Sequence, residues 1–159
     1  MKGRQPVQSY FYELADYIKE QLSPGQEYTA RFSAEDSDFI RFNHGRVRQS
    51  GTVRQRSLFI DLIEGKRHVQ GSLGLAGGLQ EDRHRVRQLI AGLSGRLPEV
   101  AEDPHLLYST EVRSTEARRK DRVPEPAVVL EAVSAASEGR DLVGVYAGGG
   151  IEEGFANSL

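Results

Sequence analysis

The sequence contains no cysteine among its 159 residues. Disulfides, thiolate metal ligands and a cysteine nucleophile are therefore excluded, and the chain fits a reducing compartment. It also lacks a long apolar run. The N-terminal stretch Met1–Tyr17 has no apolar segment of the signal-peptide kind, and nowhere do about 18 apolar residues follow one another. A cytoplasmic protein with no membrane partner is the expectation. Charge of one sign is lacking as well. The formal net charge is −2, so no global pull toward nucleic acid or anionic lipid exists, and any such pull must be local.

Catalytic signatures are equally scarce. The 4 histidines are His44, His68, His84 and His105. No two stand at His-x-x-x-His spacing, and no His-Glu-x-x-His pattern occurs, so no helical zinc pair is expected. The glycine-rich run Gly71–Gly78 lacks the Lys-Ser/Thr ending of a phosphate loop. The run Gly148–Gly154 departs from Gly-x-Gly-x-x-Gly and sets Glu152 and Glu153 where a pyrophosphate would sit. Gly-x-Ser-x-Gly is missing. The sequence assigns no catalytic residue, no metal ligand and no cofactor.

What is present suits one soluble domain, 1–159, large enough to bury a core, with 28% charged and 38% hydrophobic residues. Residues Pro6–Leu22 read as an amphipathic helix, with Phe11, Leu14, Ile18 and Leu22 at helical spacing. Ser23-Pro24-Gly25 ends it. Tyr28, Ala30 and Phe32 alternate in a first strand, Glu27–Ala34, and the acidic run Glu35–Asp38 reads as a turn. Phe39–Phe42 resumes as a strand. Asn43-His44-Gly45-Arg46 signals a hairpin, because Asn and Gly tolerate positive φ. Gly51 reads as a break or bulge. Thr52–Ile63 is a long strand, Glu64-Gly65-Lys66 a second turn, and Arg67–Leu75 the returning strand. Such short connections make an antiparallel meander.

A second helix follows over Gln80–Leu97, with Val86, Leu89, Ile90, Leu93 and Leu97 in one stripe. Glu81 and Asp82 lie in its first turn, where carboxylates suit the helix dipole. Pro98–Val123 reads as a long mobile loop; its stretch Arg113–Arg122 has almost no apolar content. Pro124 and Pro126 introduce a third helix over Ala127–Ser137 with Val129, Leu130, Val133 and Ala136 able to face a core. Leu142–Ala147 reads as a buried strand, Gly148–Gly150 as a turn, and Ile151–Leu159 as the start of a further segment. The fold class is α+β: an antiparallel-dominated β-meander packed by helices.

The one concentrated signal is basic. Arg41, Arg46, Arg48, Arg54, Arg56, Lys66 and Arg67 stand against Asp61 and Glu64 in the central stretch. Arg54 and Arg56 continue the face of Leu58, Ile60 and Leu62, so this strand is expected to leave the core for solvent or a polar cavity. Two uses are open: contact with an extended peptide or with nucleic acid. Against both stands ordinary pairing of these arginines with the acidic run Glu35–Asp38. Arg41, Arg46, Arg48, Arg54 and Arg56 are the candidate peptide- or partner-contacting residues.

Two stretches resemble a known family. Asp38-Phe39-Ile40-Arg41-Phe42-Asn43-His44-Gly45-Arg46-Val47-Arg48-Gln49-Ser50 is similar to the early signature of TldD/PmbA proteins, a strand followed by Asn-x-Gly and Arg-Val-x-Gln. Asp141-Leu142-Val143-Gly144-Val145-Tyr146-Ala147-Gly148-Gly149 followed by Gly154-Phe155-Ala156-Asn157-Ser158 resembles a later segment of the same family. Asn43, Gly45, Gly148, Gly149, Asn157 and Ser158 would then be structural motif residues. The resemblance implies the N-terminal domain of a longer protein, with a C-terminal metallopeptidase domain absent from this sequence. Family members are zinc metallopeptidases or their inactive partners, once described as modulators of DNA gyrase. They form homo- or heterodimers around a cavity that admits unfolded peptides. Their zinc motif belongs to the C-terminal half and has no counterpart here, so this chain is expected to be non-catalytic alone. It would shape the cavity and help pair subunits. The alternative is a nucleic-acid-binding or gyrase-modulating module using the basic strand face, with nucleic acid the less expected partner.

Overall fold

Helix α1 (Val7–Glu20) forms where apolar side chains recur on one face: Tyr10, Phe11, Leu14, Ala15 and Ile18 are buried. Asp16, Lys19 and Glu20 take the exposed side. The computed structural model describes residues 6–119 and 122–159. Lys120 and Asp121, part of the charged run predicted within the long connection, lie outside the described residues. Beyond α1, Gly25 turns the chain at φ 87°, a value a side chain disfavours.

Strands β1 (Gln26–Asn43), β2 (Arg46–Glu64) and β3 (Arg67–Gly74) follow in succession. The β1–β2 turn is His44-Gly45, with φ 50° and 67°. Two consecutive positive φ values define the tight turn whose twist matches antiparallel strands. Gly65, at φ 62°, turns β2 into β3. These two strands are antiparallel, in register from Ser57 opposite Gly74 to Glu64 opposite Arg67. Helix α2 (Leu79–Arg96) comes next and runs into a 3₁₀ turn at Leu97–Glu99 that holds Pro98. Helix α3 (Pro126–Ala136) and strand β4 (Gly144–Asn157) complete the order. The sheet runs β3-β2-β1-β4. Among the described residues three α-helices and one four-stranded antiparallel sheet make the fold α+β, as the sequence pattern predicts.

The chain divides into two compact units. One comprises Met1–Ala34, Arg56–Ser114 and Glu152–Leu159; the other comprises Glu35–Gln55 and Thr115–Ile151. The first holds the main core. Leu14 and Ile18 of α1, Tyr28, Ala30 and Phe32 of β1, Leu58, Ile60 and Leu62 of β2, and Val86, Ile90 and Leu93 of α2 form one buried cluster. The Phe11 and Phe32 rings stack at 5.2 Å. The Tyr28 hydroxyl donates to the Ala15 carbonyl at 2.9 Å. Burial, and secondarily the Asp16 carboxylate, pushes this hydroxyl up to about 12. In the second unit the smaller buried set includes Ile40, Phe42 and Ser137.

Five local expectations are corrected. The acidic run Glu35–Asp38 is not a turn; β1 passes straight through it. Its acids are met by neighbours on β2. Arg54 Nε lies 3.2 Å from Asp36, Gln55 donates to Glu35 at 2.7 Å, and Thr52 donates to Asp38 at 2.6 Å. Gly51 does not break β2; a Cβ there would stand 2.8 Å from the Phe39 ring, so glycine makes room for that ring. Gly148–Gly150 lies inside β4 rather than in a turn. The stretch Leu142–Ala147 is not a buried strand, since its Val143 and Val145 are exposed. No residue of α3 is buried. Val128 is 58% exposed although this helix is apolar on nearly every side.

The buried cluster carries the stability of the first unit, whereas α3, in the second, buries no side chain. Ile60→Ala is expected to cost about 2–5 kcal/mol in urea unfolding, as for other fully buried aliphatics. Val128→Ala should stay within about 0.5 kcal/mol, as exposed substitutions do. Equal losses at the two sites would contradict this division.

Candidate functional site

The first cluster of note grows from Asp82, whose side chain is fully buried. It sits in the first turn of α2, but it does more than complement the helix dipole. Its carboxylate accepts the Tyr10 hydroxyl at 2.7 Å and the backbone N–H groups of Ala76 and Gly77, each at 2.8 Å. A buried carboxylate left unpaired is costly, so three donors at these distances explain how it is tolerated. Burial first, and then the bond to Asp82, raises the Tyr10 hydroxyl well above its ordinary range. The N–H groups that a phosphate would need in the glycine-rich turn are thus already taken by a carboxylate. Gly71–Gly74 belongs to β3, and the turn that follows it is held by Asp82.

Arg56 belongs to this cluster. Its guanidinium lies 5.0 Å from the centre of the Tyr10 ring, a cation–π distance. Gly77 stands at φ 86°, and a Cβ on it would come within 2.9 Å of the guanidinium. Sequence reasoning placed Arg56 correctly on the face of Leu58 and Ile60. It missed Asp82, because an acid in a helix's first turn ordinarily points to solvent; only the adjacent glycines hinted at a turn needing an acceptor.

The other arginine candidates lie in the second unit. Arg54 is exposed and paired with Asp36. Arg41 lies 5.7 Å from the Phe39 ring centre and reaches Gln49 at 3.4 Å. Arg46 and Arg48 are exposed, and neither forms an ion pair among the described residues. The structure therefore leaves Arg46 and Arg48 as the uncommitted cations of the five.

The motif residues have clear structural work. Asn43 closes β1 just before the turn. The Gly45 N–H donates to the Leu142 carbonyl at 3.0 Å, its carbonyl accepts the Ser137 hydroxyl at 3.3 Å, and a Cβ would stand 3.2 Å from that hydroxyl oxygen. His44 meets Asp141 at 2.7 Å. Around this hairpin lies an open depression of about 600 Å³ lined by His44, Arg46, Ser137, Glu138, Arg140 and Asp141. Its charges are mixed. A Cβ on Gly149 would collide with the Asp36 carbonyl oxygen and the Ser37 Cα, so only glycine lets β4 approach β1 there. At Gly148 a Cβ would collide with the Tyr146 hydroxyl. Asn157 accepts the Leu159 N–H at 3.2 Å. Ser158 exchanges two bonds with Tyr28, each 3.2 Å: its N–H donates to the carbonyl and its hydroxyl oxygen accepts the N–H.

Zinc, which the family resemblance implies for full-length proteins, finds no ligand set here. Among the described residues no group of three or more His, Asp or Glu side chains is placed to hold a metal ion. No described helix is long and apolar enough to cross a membrane.

No family model and no curated protein matches the sequence. Solved structures do share the fold. TldE from Thermococcus kodakarensis matches 93% of this chain at 12% identity and TM-score 0.62. A proposed modulator of DNA gyrase from Thermotoga maritima matches 97% at 16% identity and TM-score 0.55. A further one, from Bacteroides thetaiotaomicron, matches 93% at 13% identity and TM-score 0.55. The chain spans only 37%, 36% and 38% of those proteins, respectively. The fold implied by the two sequence motifs is therefore the fold observed.

The close approach of β4 to β1 at Gly149 is directly testable. Gly149→Ala should lower stability by about 1–3 kcal/mol, the usual cost of forcing atoms into filled space. Gly150→Ala, where nothing lies within 4 Å of the added carbon, should be close to neutral. Thermal melts of the two variants decide it, and equal melts would refute the close approach of β4.

Proposed function

We propose that this chain is the N-terminal, non-catalytic domain of a TldD/PmbA-type protein, either the metallopeptidase or its metal-free partner subunit. Its work is to shape a cavity for unfolded peptide and to help pair subunits, in a homo- or heterodimer, in the cytoplasm. Any zinc would belong to a further, C-terminal domain. The observation that carries this reading is the fold match: nearly all of this chain corresponds to little more than a third of each solved relative. The two motifs add support, since their glycines and serine hold the hairpin and the edge strand in place. A guanidinium can bind peptide carbonyls or a carboxylate terminus through charge-assisted hydrogen bonds, which gives Arg46 and Arg48 a role at such a cavity.

The nucleic-acid alternative draws less support. In the second unit the arginines and lysines are matched in number by aspartates and glutamates. Arg54 and Arg56 are also engaged within the protein. Phosphate recognition needs a concentrated positive footprint.

Fluorescence anisotropy tests both readings. A labelled unfolded peptide should bind the purified chain weakly, and the double variant Arg46→Ala, Arg48→Ala should reduce that binding severalfold. Labelled DNA at low salt should not bind. Tight, steeply salt-dependent DNA binding with no peptide binding would reverse the assignment.

A further inference from the structure

Among its described residues the connection between the 3₁₀ turn and α3 has no helix or strand, yet its first part is fastened to the β2–β3 hairpin. The Asp103 N–H donates to the Lys66 carbonyl at 2.8 Å. Arg67 lies 3.9 Å from Glu102, and the Tyr108 hydroxyl donates to the Glu27 carboxylate at 2.7 Å. His68 stands between the hairpin and this segment. Its Nδ1 is 3.1 and 3.2 Å from the two carboxylate oxygens of Asp61, and its Nε2 is 3.7 Å from Asp103. Gln70, directly opposite Asp61 in the strand pair, donates to that carboxylate at 3.1 Å and holds it in place. His68, opposite Ile63, reaches Asp61 as a diagonal neighbour.

We propose that His68 is a proton-operated clip, holding the start of the connection against the β2–β3 hairpin by bridging Asp61 and Asp103. A neutral imidazole has one N–H. The tautomer that donates to Asp61 turns a lone pair toward Asp103, whereas the imidazolium donates to both carboxylates. Other charged or titratable groups on the elements around His68 include Glu64 on β2, Lys66 in the turn, Arg67 on β3, and Glu102 and His105 on the connection. All of these but His105 ordinarily keep their charge between about pH 5 and 8, where imidazoles change theirs. The bridge is complete with the proton on and loses its Asp103 arm as pH rises. In acid strong enough to neutralise carboxylates it weakens again.

The Asp103 amide reports docking, because it is bonded to Lys66. Its hydrogen-exchange protection should be measured against an unstructured reference peptide at each pH. The expected result is about two- to fivefold greater protection near pH 5.5 than near pH 8, the scale of a partly exposed ion pair. Asp103→Asn keeps the backbone bond and should flatten the profile, and His68→Gln should flatten it as well. His105→Gln should leave it intact, since His105 touches Asp103 only through its backbone N–H. A flat profile in the unaltered protein overturns the clip, as does one that survives both Asp103→Asn and His68→Gln or that disappears with His105→Gln.

Discussion

A carboxylate without solvent must be met by donors, and the packing around Asp82 follows from that requirement. Its partners come from three places: the Tyr10 hydroxyl on α1 and the N–H groups of Ala76 and Gly77 in the turn leading into α2. One side chain thus ties α1, the turn and α2 together. Arg56 then lies over the Tyr10 ring, and Gly77 supplies both the left-handed backbone and the space this requires. Replace any member and a buried group loses its partner, which costs more than a satisfied hydrogen bond contributes. For the same reason the Ala76 and Gly77 N–H groups are committed to a carboxylate rather than open to an anion.

The sequence disclosed the parts governed by periodicity and by turn chemistry. Leu14 and Ile18, or Val86, Ile90 and Leu93, lie on one face because an α-helix repeats every 3.6 residues. His44-Gly45 turns because its φ values suit Asn-x-Gly sequences. What stayed hidden depended on partners distant in sequence. Glu35, Asp36 and Asp38 look like a turn in isolation; Gln55, Arg54 and Thr52 make them strand residues. Gly148–Gly150 looks like a turn until the Asp36 and Ser37 backbone is seen where a side chain would go. The pairing of Arg54 with Asp36 was foreseen as the ordinary fate of a surface arginine. The burial of Asp82 was not, since helix position alone does not tell an inward acid from a solvated one.

Fold and function separate here in a specific way. The sheet and helices correspond to part of much longer proteins. A shared fold alone does not transmit an activity. The function must be argued from side chains, and those singled out by the motifs perform scaffolding. Gly45 and Ser137 hold the hairpin, Gly149 admits β4, and Ser158 fastens its end to Tyr28. Helix α3 adds a surface that is apolar yet unburied. These features hold strands and turns in place, and they agree with the scaffold role proposed above.

The central claim, that this chain is a scaffold without a catalytic centre of its own, is tested most directly by adding zinc to the purified chain. Native mass spectrometry, run beside an assay for hydrolysis of unfolded peptide, reads both halves of the claim. The account predicts no stoichiometric zinc adduct and no cleavage above the uncatalysed rate. One zinc bound per chain together with peptide hydrolysis would contradict it.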